Sequence, residues 1–325
     1  MKIKSLFIDI CKGASLGLGA LPGVSAGTVG IVVNVYDKLI DNINNLKKDF
    51  LKSFLTLLPI GLAWVAATLI LMYLEGKAWA YIPFIIVCVC AGFTIGGLPV
   101  IFSQLKGMTW KKADTAKLLT GFAIAAGIGV VSVLAYVYRW FDLTMAFNNP
   151  KDNWYIYIVV LFVGFFLAVA CLVPGISGAM ILFIFGIYNP LIGLFSGPNS
   201  MFKNHDRVGS GLLLLFIIII GIIIGFLAVS KAMKTLLVKH KTSTYVVVLG
   251  FVLGSIVSMF VNNQTWGLYC PEYDVPPYVS APVFKPVARA TWQYVVGGIG
   301  LVVAAVVTFV IIRKFLNKKE ESPQN

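Results

Sequence analysis

The sequence predicts an all-α integral membrane protein, organised as an inverted repeat of two units, each a re-entrant helical hairpin plus three transmembrane helices. Three observations carry that expectation. Mean hydropathy is +0.90, with 59% apolar and only 12% charged residues, about half the charged share of a soluble domain. Several apolar runs reach roughly 18 to 22 residues, the length that crosses a hydrocarbon core of about 30 Å. The third observation is a phrase used twice, Pro22-Gly23-Val24-Ser25-Ala26-Gly27-Thr28 and Pro174-Gly175-Ile176-Ser177-Gly178-Ala179-Met180. A shift of 152 superposes the copies, with six of the nineteen positions from 22 to 40 identical, Tyr36/Tyr188 among them.

In such a chain the net charge of +13 is not a nucleic-acid footprint, because excess Lys marks cytoplasmic loops. The expected partner is the bilayer, not nucleic acid. Five cysteines (11, 88, 90, 171 and 270) are odd in number and mostly sit in apolar runs. They read as small packing residues, with no metal, cofactor or redox site implied. The N-terminus superficially resembles a signal peptide, but Asp9 and Lys12 interrupt its apolar stretch, so it is expected to stay in the mature fold.

Taken in order, the first unit covers 1–138. Its hairpin spans 5–37, where Gly13, Gly17 and Gly19 loosen the arm before Pro22 and neither arm is long enough for a comfortable crossing. A basic loop with Lys38, Lys47, Lys48 and Lys52 follows. Crossings are expected at about 54–74, 80–102 and 118–138, with a tight turn at Glu75-Gly76-Lys77. A polar linker, 139–154, leads to the second unit, 155–313. That unit holds a hairpin over 155–195, a loop with His205 and Arg207, and crossings at about 211–230, 245–262 and 292–312. The Pro-rich stretch 263–291 is too polar for lipid, and 314–325 is a polar cytoplasmic tail.

The duplication extends past its signature. Gly92-Phe93-x-x-Gly96 matches Gly250-Phe251-x-x-Gly254, a small-residue pattern suited to close helix packing. With the N-terminus inside, 19 of the 26 Lys and Arg fall in inner segments and 7 in outer ones, which predicts N-in and C-in. Three crossings per unit is odd, so the halves invert and the hairpin tips approach each other near the midplane.

Backbone amides in hydrocarbon must be satisfied, so a broken helix is tolerated only inside protein or facing a polar cavity. Pro22-Gly23 and Pro174-Gly175 break the helix, and Ser25 and Ser177 are suited to cap the arms that follow. The N–H groups of Ala26, Gly27 and Thr28, and of Gly178, Ala179 and Met180, would then face the cavity. A helix N-terminus favours an anion, and small residues let a phosphate approach closely. Tyr36 and Tyr188 lie three turns beyond their serines, placed either to bond the substrate or to anchor at the interface. The competing reading of each Pro-Gly is a simple kink. Asp9, Lys12 and Asp37 read as solvated interfacial charges.

With both phrases followed by a Gly/Asn-x-Tyr turn, the sequence resembles the polyprenyl-phosphate transporter family (PopT), formerly a domain of unknown function, over about residues 5–312. The resemblance implies translocation of undecaprenyl phosphate to the cytoplasmic leaflet of a bacterial inner membrane, recycling the carrier for cell-wall glycans. Family members often carry Gly-Gly after the first motif serine and an acidic residue before the Pro; here Ala26-Gly27 and Gly19 stand there. Two alternatives remain: an undecaprenyl-diphosphate phosphatase and an anion channel. The phosphatase would continue Pro-Gly-x-Ser with Arg and would need intramembrane Glu. Gly178 follows Ser177 and no acidic residue is expected within a crossing, so no catalytic residue is assigned.

Overall fold

A computed structural model of the chain describes residues 3–45, 48–137, 143–172, 176–196, 200–261 and 291–321. Among these every regular element is a helix, and six helices are long and apolar enough to cross a membrane. The protein is multi-pass. Leu, Ile, Val and Phe side chains stand exposed along these helices, including Leu62, Ile70, Leu227, Ile299 and Val302, as they do where lipid rather than water is the solvent.

The chain begins with α1 (Ile3–Leu16), a 3-10 turn at Gly17–Ala20, α2 (Ala26–Val32) and α3 (Tyr36–Asn45). Three long helices follow, α4 (Phe50–Tyr81), α5 (Pro83–Gln104) and α6 (Lys112–Val137). Then come α7 (Leu143–Asn148), α8 (Tyr155–Leu172), α9 (Gly178–Ile184) and α10 (Tyr188–Gly193). The last elements are α11 (Asp206–Lys239), α12 (Lys241–Phe260) and α13 (Thr291–Glu321). The Pro-rich stretch, apart from Thr291, and Cys270 lie outside the described residues.

Several boundaries differ from expectation. The Glu75-Gly76-Lys77 turn does not exist; α4 runs through it to Tyr81, and the chain turns at Ile82 (φ −134°, ψ 48°). The breaker is Pro83, which occupies the first turn of α5 and pushes the preceding residue out of the helical region. Gly76 serves packing instead, since a Cβ there would lie 2.6 Å from Ser196 Cβ and 2.7 Å from Ile192 Cγ2. The basic loop after the first hairpin is partly helical, as α3. The linker 139–154 contains α7, whose Phe147 is fully buried. The loop holding Arg207 is already α11, and that guanidinium donates to Asn148 Oδ1 at 3.0 Å.

Four helix pairs dominate the packing: α1 with α4, α8 with α11, α5 with α13, and α6 with α12. Exchanging the halves (α1 for α8, α4 for α11, α5 for α12, α6 for α13) maps this set onto itself. Glycines make the close approaches. Gly92 and Gly96 seat α5 against Leu301 and Ala305 of α13, while Gly250 and Gly254 seat α12 against Leu118 and Phe122 of α6. The matched Gly-Phe-x-x-Gly stretches thus serve matched helix pairs. Gly13 of α1 and Gly17 of the 3-10 turn fit the first hairpin to α4, and Gly164, Gly221 and Gly225 fit α8 to α11.

Candidate functional site

From Ala26 and Gly178 onward the two copies fold the same way. Shifted by 152, α2 becomes α9 residue for residue, and Tyr36 and Tyr188 each open the next helix. Between them stands a left-handed residue, Asn34 (φ 54°) in one copy and Gly186 (φ 69°) in the other. Val35 N–H donates to Gly30 O at 2.8 Å and Ile187 N–H to Leu182 O at 2.9 Å. Each is the six-residue bond of a Schellman cap, which needs a residue that tolerates positive φ. Asn and Gly are such residues, which explains the Gly/Asn-x-Tyr turn.

The break before α2 is held by close packing. Gly23 has φ +88°, and a Cβ there would stand 2.6 Å from Thr94 N and 2.8 Å from Cys90 O. Only glycine fits this crevice against α5. Thr94 Oγ1 donates to Cys90 O at 3.0 Å, which keeps that wall of α5 satisfied. Pro22 is buried and Ser25 and Ala26 are half-buried. The side chains of Gly27, Thr28 and Tyr36, and residues Pro174 and Gly175 altogether, lie outside the described set.

In the second copy Ser177 stands in the N-cap position of α9 with extended backbone (φ −90°, ψ 135°), but its hydroxyl makes no capping bond. Its Oγ is buried without a partner among the described residues, while its carbonyl accepts from Met180 N–H at 3.1 Å. Two expectations are corrected here. The serine does not cap through its side chain, and the Met180 N–H closes a tight first turn instead of facing a cavity. Gly178 has room, since an added Cβ would meet only Leu167 Cδ2 at 3.3 Å.

The structure brings the two copies into contact through Tyr188. Its ring is 1% exposed, so the interfacial-anchor alternative fails for this residue. Its hydroxyl lies 2.5 Å from Glu75 Oε2 and 3.3 Å from Ala20 O, in the 3-10 turn of the first hairpin. Glu75 is 7% exposed, and its Oε1 has no partner among the described residues. The expectation of no acidic residue within a crossing therefore fails, because Glu75 belongs to the crossing helix α4 and not to a turn. Sequence reading missed it when Gly76 was taken as a turn signal. Asp114 and Asp206 also lie in spans, each in the first turn of its helix.

Asp9 is corrected as well. It is buried, and Lys38 of α3 donates to both its oxygens at 2.7 Å, while Lys12 donates to Asn34 O at 2.7 Å. These bonds close the first hairpin on itself. Asp37's side chain lies outside the described residues.

Each break borders a largely apolar groove. The first, about 300 Å³, runs from Leu21, Gly23 and Ser25 between α5 and α13. The second, about 560 Å³, runs from Ile176 and Ile181 along α12 to a polar mouth at Lys117, His240 and Ser243. Lys117 Nζ donates there to Asp114 at 2.9 Å and to Ser243 at 2.8 Å. Val24 and Val29 of the first groove correspond to Ile176 and Ile181 of the second. Among the described residues no cluster of His, Cys, Asp or Glu could hold a metal.

Comparison with known proteins bears on this arrangement. The chain is 28% identical over 270 residues to a polyprenyl-phosphate transporter of Staphylococcus aureus (strain NCTC 8325 / PS 47), covering 80% of this chain and 88% of that protein. It is 25% identical over 280 residues to a polyprenyl-phosphate transporter of Vibrio cholerae serotype O1 (strain ATCC 39315 / El Tor Inaba N16961), covering 82% of each. No solved structure matches it. A family model described as undecaprenyl phosphate translocase-like matches residues 18–272, a range that holds both phrases, Glu75 and Tyr188, and the chain belongs to that family.

Proposed function

We propose that this protein carries a polyprenyl phosphate, undecaprenyl phosphate by the family's description, from the outer to the cytoplasmic leaflet of a bacterial inner membrane, for re-use in cell-wall glycan synthesis. The tail needs no carrier, since each buried CH₂ favours lipid by about 0.8 kcal/mol. The obstacle is the phosphate, whose idealised transfer to a low-dielectric medium costs on the order of 20 kcal/mol per ion. A protein that shelters the head group while the tail stays in lipid removes that barrier.

The observation that carries the proposal is the contact of Tyr188, beyond the second Pro-Gly, with Ala20, just before the first, and a groove beside each copy. In this reading the halves, 1–138 and 155–313, are inverted and the hairpins α1–α2 and α8–α9 are re-entrant. The phosphate sits between the breaks, at Pro22, Gly23, Ser25, Ala26, Gly27 and Thr28 on one side and Pro174, Gly175, Ser177, Gly178 and Ala179 on the other. The second groove's basic mouth, at the inner ends of α6 and α12 under N-in topology, receives the head group on release.

A phosphatase gains one of its requirements from Glu75 but lacks the Arg after Ser177, so no hydrolysis is assigned. Phosphate release from a lipid diphosphate would reverse that assignment. The test of transport is leaflet-resolved labelling of undecaprenyl phosphate in cells with and without the protein. Loss of the protein should leave the lipid accumulating in the outer leaflet; an unchanged distribution contradicts the proposal. Topology is tested with cysteines at Asp152 and Lys203, both exposed. Both should label from outside, and labelling from opposite faces would mean that the segment between them crosses.

A further inference from the structure

Glu75 is a carboxylate on a membrane-crossing helix, 7% exposed, and none of the described cations pairs with it; the ion pairs are Lys38 with Asp9 and Lys117 with Asp114. An ionised carboxylate so placed is costly, and the groups around it decide what neutralises it. Tyr188 from α10 and Cys90 from α5 face it. On its own helix, Lys77 turns outward over the Tyr73 ring, 5.8 Å from its centroid. The charges of α1 and α3 (Asp9, Lys12, Lys38, Asp41) belong to the far end of α4. There α1 meets α4 at Ile60, about 22 Å below Glu75 at the rise of an α-helix.

We propose that Glu75 is a proton-binding site and that Tyr188 passes its state to the first hairpin through the Ala20 carbonyl. The geometry permits two arrangements of one proton. With Glu75 protonated, Oε2–H donates to Tyr188 Oη, and the tyrosine proton is free to donate to Ala20 O, tying α10 to the 3-10 turn. With Glu75 ionised, the tyrosine proton turns to Oε2 and the tie to Ala20 is lost. One phenolic proton cannot serve both acceptors fully, so the state of the carboxyl sets whether the hairpins are latched. Oε1 is buried and has no partner among the described residues, so the carboxyl's proton leaves and returns only when this contact opens. The proposal rests on the transport reading for its use, since a latch between the breaks would link lipid-phosphate movement to a proton gradient.

The test uses the full chain in vesicles of phosphatidylethanolamine and phosphatidylglycerol. Infrared difference spectra across a pH titration should show the C=O stretch of a protonated buried carboxyl, absent in Glu75→Gln and kept in Glu75→Asp. In parallel, uptake of labelled undecaprenyl phosphate should rise several-fold under an imposed pH gradient in the wild type, and that ratio should fall to unity in Glu75→Gln. Tyr188→Phe should keep the band and move its midpoint to higher pH, because the ionised form loses a charge-assisted bond and the protonated form only a weaker neutral one. A band that survives Glu75→Gln, a gradient response that survives it, or a response to a sodium gradient alone overturns the proposal. An unmoved midpoint in Tyr188→Phe removes the latch, and this arm remains decisive if Glu75→Gln misfolds. If the band behaves as expected but the wild type moves no lipid, the transport reading fails and the proton site stands.

Discussion

The two hairpins start from nearly the same phrase and end in different surroundings. In the second, every residue of α9 from Ala179 to Ile184 is buried, and Tyr188, Leu191 and Ile192 join the same large core. The first has a small core of its own, Leu16, Val35 and Ile60, backed by Val29, Val33 and Leu39, and its Val32 is 37% exposed. The local fold is nonetheless the same, down to the left-handed residue and its cap bond. The phrase encodes the broken helix and its Schellman end, while burial is set by which neighbours close over it. The second hairpin is clamped by the large core, whereas the first is closed by its own Asp9–Lys38 pair and by Gly23 in its crevice.

Substitutions at matched places should expose that difference. The largest effect is expected at Gly23→Ala, where positive φ and contact with the α5 backbone add to about 3 kcal/mol or more. Gly178→Ala meets only the end of Leu167 and should cost little. Thermal unfolding in detergent compares them, and equal losses would mean that the breaks are packed alike. Next is Lys38→Ala, which leaves Asp9 buried and unpaired. The lysine is 38% exposed, so screening limits the loss to about 1–2 kcal/mol, and adding Asp9→Asn should recover part of it. Hydrogen exchange should then find 178–192 better protected than 26–39, since only the former lies in the main core; the reverse order would contradict the asymmetry.

The smallest loss of stability is expected at Ser177→Ala. Its hydroxyl is buried and unbonded, so removal relieves an unsatisfied group worth about 1–3 kcal/mol, and the variant should be at least as stable as the wild type. Transport should still fall if that hydroxyl meets the phosphate. A destabilised Ser177→Ala would restore the capping role that the geometry denies.

Much of this was legible in the sequence, for identifiable reasons. Length and hydropathy located the six helices that, among the described residues, are long and apolar enough to cross a membrane, and the shift of 152 located two short helices that match residue for residue. Gly92/Gly96 and Gly250/Gly254 were legible as packing sites, though not the partners they approach. Glu75 was misread because Glu-Gly-Lys has the composition of a turn, and only Pro83, seven residues beyond Gly76, decides where α4 ends. Asp9 was misread because its partner is 29 residues away, across a break whose angle no local pattern specifies. The hydroxyl of Ser177 was assigned a cap on residue type alone, when the first turn of α9 closes through a backbone bond.

We propose that the phosphate is held at the two breaks by the backbone, not by surface charge. The direct measurement is uptake of labelled undecaprenyl phosphate into proteoliposomes by Gly27→Leu, Gly178→Leu and Lys52→Ala, with folding checked by thermal unfolding. Lys52 is an exposed basic residue remote from the breaks. Both leucine variants should insert and unfold normally yet lose transport, because the side chain holds the phosphate off the Gly27, Gly178 and Ala179 amides, and Lys52→Ala should transport as the wild type does. Normal transport in the folded leucine variants, with loss in Lys52→Ala, would place the anion on side-chain charge at the membrane surface and contradict the account.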